Sequence, residues 1–258
     1  NIDPRRLHID PYATLVDEGC RSLESESDMW KAIGSTQSGT GAATAMKVMR
    51  KASLVKDNRD LFPSGTKFVS IADLIYRRNL HGYNILIEGT QGAGLSLHHS
   101  GHYPFCTSRD THASTFLGEC GVGPKSVNRI FMVIRTFPIR VGGNSGLLPN
   151  EVSWDFVTNF SKYPVRVEEK TSVSKTIRRV AMFDYEQVIR AAYMNSATDV
   201  VLTGLDYYSY ENYGATSYGH LTGTTLVFIE SIAASLPNIR MQFFSTGPEL
   251  EHMITPAF

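Results

Sequence analysis

Cysteine is scarce in this chain: Cys20, Cys106 and Cys120 are the whole complement. An odd number without C-x-x-C spacing argues against a disulfide framework or a zinc ribbon and fits a reducing, cytoplasmic setting. Net charge is missing too, with 25 basic residues set against 25 acidic ones. The chain as a whole therefore has no electrostatic attraction to nucleic acid or to a membrane surface, and any basic residue that meets a phosphate must act locally. No apolar run approaches the length that spans a bilayer. The start has no signal-peptide pattern, and Asn1 stands where a methionine would open a reading frame. A processed N-terminus or a piece of something longer is expected.

Familiar fingerprints are absent as well. A Walker A loop needs lysine after Gly39, and Thr40 stands there. The glycines of "GTQGAG" (89–94) have the wrong spacing for a dinucleotide loop, and no acidic residue follows at a suitable distance. Neither G-x-S-x-G nor H-E-x-x-H occurs. His98, His99 and His102 cluster without a cysteine or carboxylate at ligand spacing, so they read as a solvated loop rather than a metal site. Internal repeats and low-complexity segments are lacking.

What is present alternates. Residues 12–32 read as a polar helix. Residues 41–55 read as an alanine-rich helix with Lys47, Arg50 and Lys51 near its C-terminal end. Four apolar runs read as buried strands, at 84–89, 129–137, 199–206 and 239–249. Helices at 185–196 and about 225–236 precede the last two. Helix, buried strand and polar loop in turn predict an α/β domain with a largely parallel central sheet flanked by helices. One domain over 1–258 is expected, with 258 residues being enough for one large core.

The strand ends carry the chemistry. "GTQGAG", "PIRVGGNSG", "TGLD" and "STGPE" follow the four runs, and ligands of open α/β sheets sit beyond the carboxyl ends of strands. Four such ends together favour a shared ligand cleft. "GSTQSGTGAA" (34–43) runs into a helix start, whose orphan N–H groups attract phosphate, with Arg50 on the helix that follows. Residue chemistry alone gives a phosphate- or nucleotide-binding α/β domain.

Six segments, in order, resemble the adenylosuccinate synthetase family. "IGSTQSGTGAATAMKVMRK" is similar to its "IGTTGRGIGPA…KVARR" stretch, and "EGTQGAGLSLHHSGHYPFCTSRDT" to its "EGAQG…YP…TS" stretch. "IRVGGNSG" resembles the "RVG" loop, "SVSKTIRRVAMFD" the arginine-rich loop, "LTGLD" its "LTKLD", and "STGPE" its "STGPD". "IRVGGNSG" has a form closer to short archaeal and phage members, and "YPFCTSRD" and "VSKTIRRV" resemble phage members that make 2-aminoadenylosuccinate from dGMP.

The resemblance implies a P-loop NTPase-related fold and a C–N ligase of purine biosynthesis. A nucleoside triphosphate, GTP or ATP, phosphorylates O6 of IMP or dGMP, and the amine of L-aspartate then displaces phosphate from C6. It implies a homodimer and Mg2+. Thr36 and Thr107 would hold the monophosphate, with Arg50 reaching it from the partner subunit. Gln91 would present its amide to the nucleotide as the catalytic residue, and Val141 would pack on the ribose. Ser174, Lys175 and Arg178 would grip aspartate, Arg178 being preferred to Arg179. Asp206, Ser245 and Gly247 would meet the base of the triphosphate. The family's N-terminal phosphate loop, with its general base and Mg2+ ligand, and the general-acid histidine after it have no counterpart here. The expected reading is the C-terminal major part of a longer enzyme, inactive alone. Three further departures stand out: Thr176 and Ser38 replace arginines, and Gly204 replaces a lysine. The competing reading is a non-catalytic nucleotide-binding protein without the phosphate loop. A dehydrogenase-like domain has only "GTQGAG" in its favour.

Overall fold

A computed structural model describes residues 2–28, 32–172 and 175–256. The chain divides into two compact units, Asn1–Val127 and Asn128–Phe258.

The first unit has little apolar core. A two-residue parallel ladder joins β1 (His8–Ile9) to β2 (Lys67–Phe68). Helix α1 (Glu18–Glu26) begins at Asp17, whose carboxylate accepts the Cys20 amide at 2.9 Å. Helix α2 (Thr40–Val48) lies against it, and Cys20, Ala42 and Ala43 with Val16 fill the seam. Small side chains allow that close approach, but they bury little area. Helix α2 stops well short of the expected residue 55. Lys51 N–H bonds the Met46 carbonyl at 2.9 Å and Arg50 N–H the Lys47 carbonyl at 3.0 Å, while Arg50 takes φ 62°. This is a helix-ending turn whose left-handed position usually carries glycine. Helices α3 (Ile71–Leu80) and α4 (Ala113–Cys120) complete the unit.

Residues 84–89 correct the sequence reading. They form no strand, and Ile85 and Leu86 are exposed, Leu86 by 84%. A short apolar run signals a capacity for burial but not a ladder partner. Among the described residues of this unit the pairing is the β1–β2 ladder and one isolated bridge, Thr14 to Leu54.

The second unit holds the expected sheet. β3 (Phe131–Arg135), β7 (Asp199–Thr203) and β8 (Arg240–Ser245) run parallel in the order β3-β7-β8, and β9 (Met253–Ile254) adds antiparallel to β8. Between β3 and β7 the chain builds a second, antiparallel sheet, β4-β6-β5, from β4 (Ile139–Arg140), β5 (Glu151–Val152) and β6 (Arg179–Ala181). Helix α5 (Trp154–Ser161) covers that sheet through Trp154, Val157 and Val180, with Phe137 and Val167. Helices α6 (Tyr185–Asn195) and α8 (Gly223–Ser235) cover the parallel sheet, where Val200, Leu202, Ile232 and Phe244 are at most 1% exposed. At roughly 1.5–3 kcal/mol per fully buried large aliphatic or aromatic side chain, this core is the main stabilising feature of the unit. The short helix α7 (Leu205–Tyr208) starts one residue after β7 ends.

Candidate active site

In the first unit, residues 92–111 close on themselves. Thr107 N–H bonds the Leu95 carbonyl at 2.8 Å, Leu97 N–H the Arg109 carbonyl at 3.1 Å, and the Thr111 hydroxyl the Gly92 carbonyl at 2.9 Å. Asp110 locks the fold-back. It accepts the Ser96 hydroxyl at 2.5 Å, the His98 N–H at 3.1 Å and His98 Nδ1 at 2.9 Å. The Ser96 hydroxyl above all, then the His98 amide and ring, hold its carboxyl well below the usual carboxylate range. Thr107 thus belongs to a braced loop, and Gln91 stands one residue before it.

Asp110 went unrecognised as the brace because its motif neighbours carry the resemblance. Its contribution to stability is present above the ordinary carboxylate range and is lost only as pH falls through the depressed value. Asp110→Asn is expected to cost about 1–3 kcal/mol in denaturant unfolding, by the same amount at pH 8 and pH 9. A deficit that grows or vanishes between those two pH values would contradict it.

Thr36 and Arg50 flank α2. Thr36 is exposed, and its hydroxyl lies in a chain with those of Ser38 and Thr40, at 3.4 and 3.1 Å. The expected role of the helix start needs correcting. The carboxylate of Glu24 already accepts the N–H groups of Gly39, Gly41 and Ala42, at 2.7, 2.7 and 3.1 Å. Those amides cannot also serve a substrate phosphate. The Arg50 guanidinium is exposed and forms no ion pair among the described residues.

In the second unit, the antiparallel register pairs Ile139 with Val180 and Arg140 with Arg179, so Val141 continues opposite Arg178. Gly142 follows so closely that an added Cβ would lie 2.3 Å from the Ile177 carbonyl oxygen. The expected ribose residue and the expected aspartate residue therefore lie just beyond the paired ends of β4 and β6. The two arginines differ sharply. Arg179 is committed: it binds Glu151 through two bonds, at 2.8 and 2.6 Å, and the Gly146 carbonyl at 2.6 Å. Arg178 is half-buried, and its Nε makes one long bond to the Lys170 carbonyl at 3.3 Å. Its own carbonyl accepts the indole N–H of Trp154 at 2.7 Å. Lys175 is exposed. Ser174 lies outside the described residues.

Asp206, Ser245 and Gly247 converge at the carboxyl edge of the parallel sheet. Leu202 pairs with Phe244, so both loops leave the sheet side by side. Asp206 is buried, and burial raises its carboxyl, while its own amide, the Tyr163 hydroxyl at 3.2 Å and the Tyr207 amide pull the other way. Burial pushes the Tyr163 hydroxyl up, the Asp206 charge adding to it. Ser245 donates to the Gly247 carbonyl at 2.9 Å. The His252 ring lies against Gly247 and meets Tyr213 at 5.5 Å, and its buried Nδ1 has no partner among the described residues. Tyr163, Tyr213 and His252 form an aromatic rim that the motifs did not reveal.

Backbone strain marks some of the same places. Gln37, Arg50, Gln91 and Lys175 all have positive φ, at 52°, 62°, 73° and 55°. None is glycine or asparagine, the residues that tolerate this region, and such strain concentrates at functional sites. Among the described residues, no group of three or more His, Cys, Asp or Glu side chains is assembled to hold a cation. Among the described residues, no helix is long and apolar enough to cross a membrane.

Comparison with known proteins agrees with this architecture. Residues 61–213 match the family model of adenylosuccinate synthetase. The adenylosuccinate synthetase of Methanocaldococcus jannaschii is 35% identical over 250 residues, which are 96% of this chain and 69% of the relative. Two solved structures share the fold. The adenylosuccinate synthetase of Plasmodium falciparum has a TM-score of 0.84 at 15% identity, over 98% of this chain and 78% of that one. The cyanophage S-2L succinoaminodeoxyadenylate synthetase (PurZ), bound to dGMP and dATP as an energy donor, has a TM-score of 0.75 at 24% identity, over 98% and 69%.

Fold and relatives define a C–N ligase class that works on purine nucleotides. Within that class, the chain belongs to the adenylosuccinate synthetase family of purine biosynthesis.

Proposed function

We propose that this ligase joins L-aspartate to C6 of dGMP, with ATP as phosphate donor, in a homodimer that needs Mg2+. The γ-phosphoryl group passes to O6, leaving ADP. The aspartate amine then forms the C6–N bond as the C6–O6 bond breaks, and O6 departs with inorganic phosphate. Thr36 and Thr107 donate hydroxyls to the monophosphate, and Arg50 of the partner subunit supplies the charge. Gln91 turns its amide to the base, and Val141 packs on the sugar. Arg178, with Lys175 and Ser174, holds the dicarboxylate. Asp206, Ser245 and Gly247 meet the base of the triphosphate. The described residues of this chain do not fit a Mg2+ site by themselves, so its ligands are assigned elsewhere.

The observation that carries the reading is the register of the small antiparallel sheet. Extended by one residue it brings Val141 beside Arg178, the arginine of its pair that is not already spent on a carboxylate, which supports a nucleotide and a dicarboxylate meeting there. An arginine fork suits a dicarboxylate better than a lysine point charge.

The choice of a deoxynucleotide is supported by Thr176. Where family members carry an arginine near the ribose, Thr176 hydrogen-bonds Thr171 within its own hairpin, its N–H to the Thr171 hydroxyl at 3.1 Å. A site lacking that charge loses little when the 2′-hydroxyl is absent. IMP is the second reading, favoured by the archaeal relatives. Phosphate release by the product of the complete reading frame, with aspartate and ATP, separates them. A higher kcat/KM for dGMP than for IMP is expected; the reverse order would assign the ordinary substrate.

A further inference from the structure

The helix start in "GSTQSGTGAA" looks like a phosphate cradle and is not one. Helix α2 has glycine at its N-cap, so no local side chain can satisfy the first amides. Glu24, on α1 and 15 residues before Gly39, supplies the missing acceptor from inside the unit. It is 3% exposed. One oxygen takes the Gly39 amide, and the other takes those of Gly41 and Ala42. Gly39 has φ 84°, and a Cβ there would lie 2.7 Å from Val16. The loop is therefore pinned from beneath by a carboxylate and by a glycine with no room to change.

The opposite face of the loop is different. Thr36, Ser38 and Thr40 are exposed, and their hydroxyls form one connected row. Three amides at the positive end of the helix are satisfied by an internal anion, and the exposed hydroxyls are the side-chain donors left for a ligand.

We propose that Glu24 is a positioning residue: it denies the α2 amides to the substrate phosphate and fixes Thr36, Ser38 and Thr40 as a hydroxyl face for the nucleoside monophosphate. The proposal rests on the reading of this loop as the monophosphate site. It gives α1, which touches no proposed substrate, a part in choosing how the phosphate is held.

The test uses the product of the complete reading frame and calorimetric titration with dGMP, IMP and ATP. Glu24→Gln keeps the side-chain volume but turns an NH2 toward one of the amides. It should weaken monophosphate binding roughly tenfold, the scale of one lost charge-assisted bond, and leave ATP binding unchanged. Glu24→Ala should weaken it further, and added formate, which can re-enter between the three amides, should restore part of the loss. Thr36→Val should weaken monophosphate binding alone, and its cost should shrink in the Glu24→Gln background, because a displaced loop no longer presents that hydroxyl.

Equal loss for ATP and monophosphate would make Glu24 merely structural and overturn the proposal. So would tighter monophosphate binding in Glu24→Ala, since the phosphate would then be using the vacated amides. Should Glu24→Ala fail to fold, Glu24→Gln and the double variant still decide. If Thr36→Val binds monophosphate as well as the unchanged protein does, the loop's assignment as a phosphate site fails, whatever the Glu24 variants do.

Discussion

Arg178→Ala is expected to lower kcat/KM for aspartate by roughly one to two orders of magnitude, about 1.5–3 kcal/mol, while dGMP and ATP affinities stay close to those of the unchanged enzyme. The reason lies in how its pair divides the work. Arg179 holds Glu151 and the Gly146 carbonyl, so its replacement would damage the sheet itself. Arg178 has only one long bond to the Lys170 carbonyl to give up. Its loss should therefore show in substrate use and not in folding. Arg178→Lys should recover only part of the activity, because an ammonium cannot grip a carboxylate with a fork. Steady-state kinetics with aspartate varied, alongside a melting curve, would check both halves. An unchanged aspartate KM and kcat/KM would remove this hairpin from the substrate site.

Arg50 offers the second large effect, with an unusual signature. It occupies the left-handed position that ends α2, with φ 62°. For a residue with a Cβ that conformation costs on the order of 1 kcal/mol, which glycine would not incur. Arg50→Gly is thus expected to raise the melting temperature slightly. It should also raise the KM for the monophosphate by an amount worth about 1.5–3 kcal/mol, the scale of a lost charge-assisted contact. Arg50→Leu should share the rise in KM without the gain in stability. Mixing either variant with a subunit disabled at Thr107 should restore activity in part, since a hybrid dimer rebuilds one intact site. No recovery on mixing would make the contact an internal one.

The parallel sheet was legible because its strands read as unbroken apolar runs, Phe131–Ile134 on β3 and Val200–Leu202 on β7. Helices bury Ile134, Val200 and Leu202, while Phe131 and Val133 stay exposed on β3. Residues 84–89 carry the same kind of run and lie exposed. Periodicity reports what a segment wants to bury and is silent about what it finds to bury against. The β4-β6-β5 sheet escaped notice for another reason: strands of two and three residues are too short to show a period. Strand ends put Asp206 and the Ser245 loop at one edge of the sheet, because parallel neighbours deliver their loops to the same side. Glu24 was out of reach. On a polar helix, nothing in the sequence says which acid turns inward, and its partners are backbone amides, which leave no trace in residue type. Tyr163 and His252 were missed for the same kind of reason, since their contacts with Asp206 and Gly247 join segments far apart in sequence.

The hydrogen bond from the Trp154 indole to the Arg178 carbonyl also gives the protein an optical handle. Indole emission depends on the dipoles around the ring, and here the nearest strong one belongs to the backbone of the proposed aspartate arginine. Trp154 is buried, so bulk solvent contributes little to its spectrum. The chain has only two tryptophans. Trp30→Phe would leave Trp154 as the single emitter, and a ligand that draws Arg178 toward itself would shift that carbonyl and the emission with it. Occupancy of the dicarboxylate subsite would then be readable in real time, without turnover and without a label.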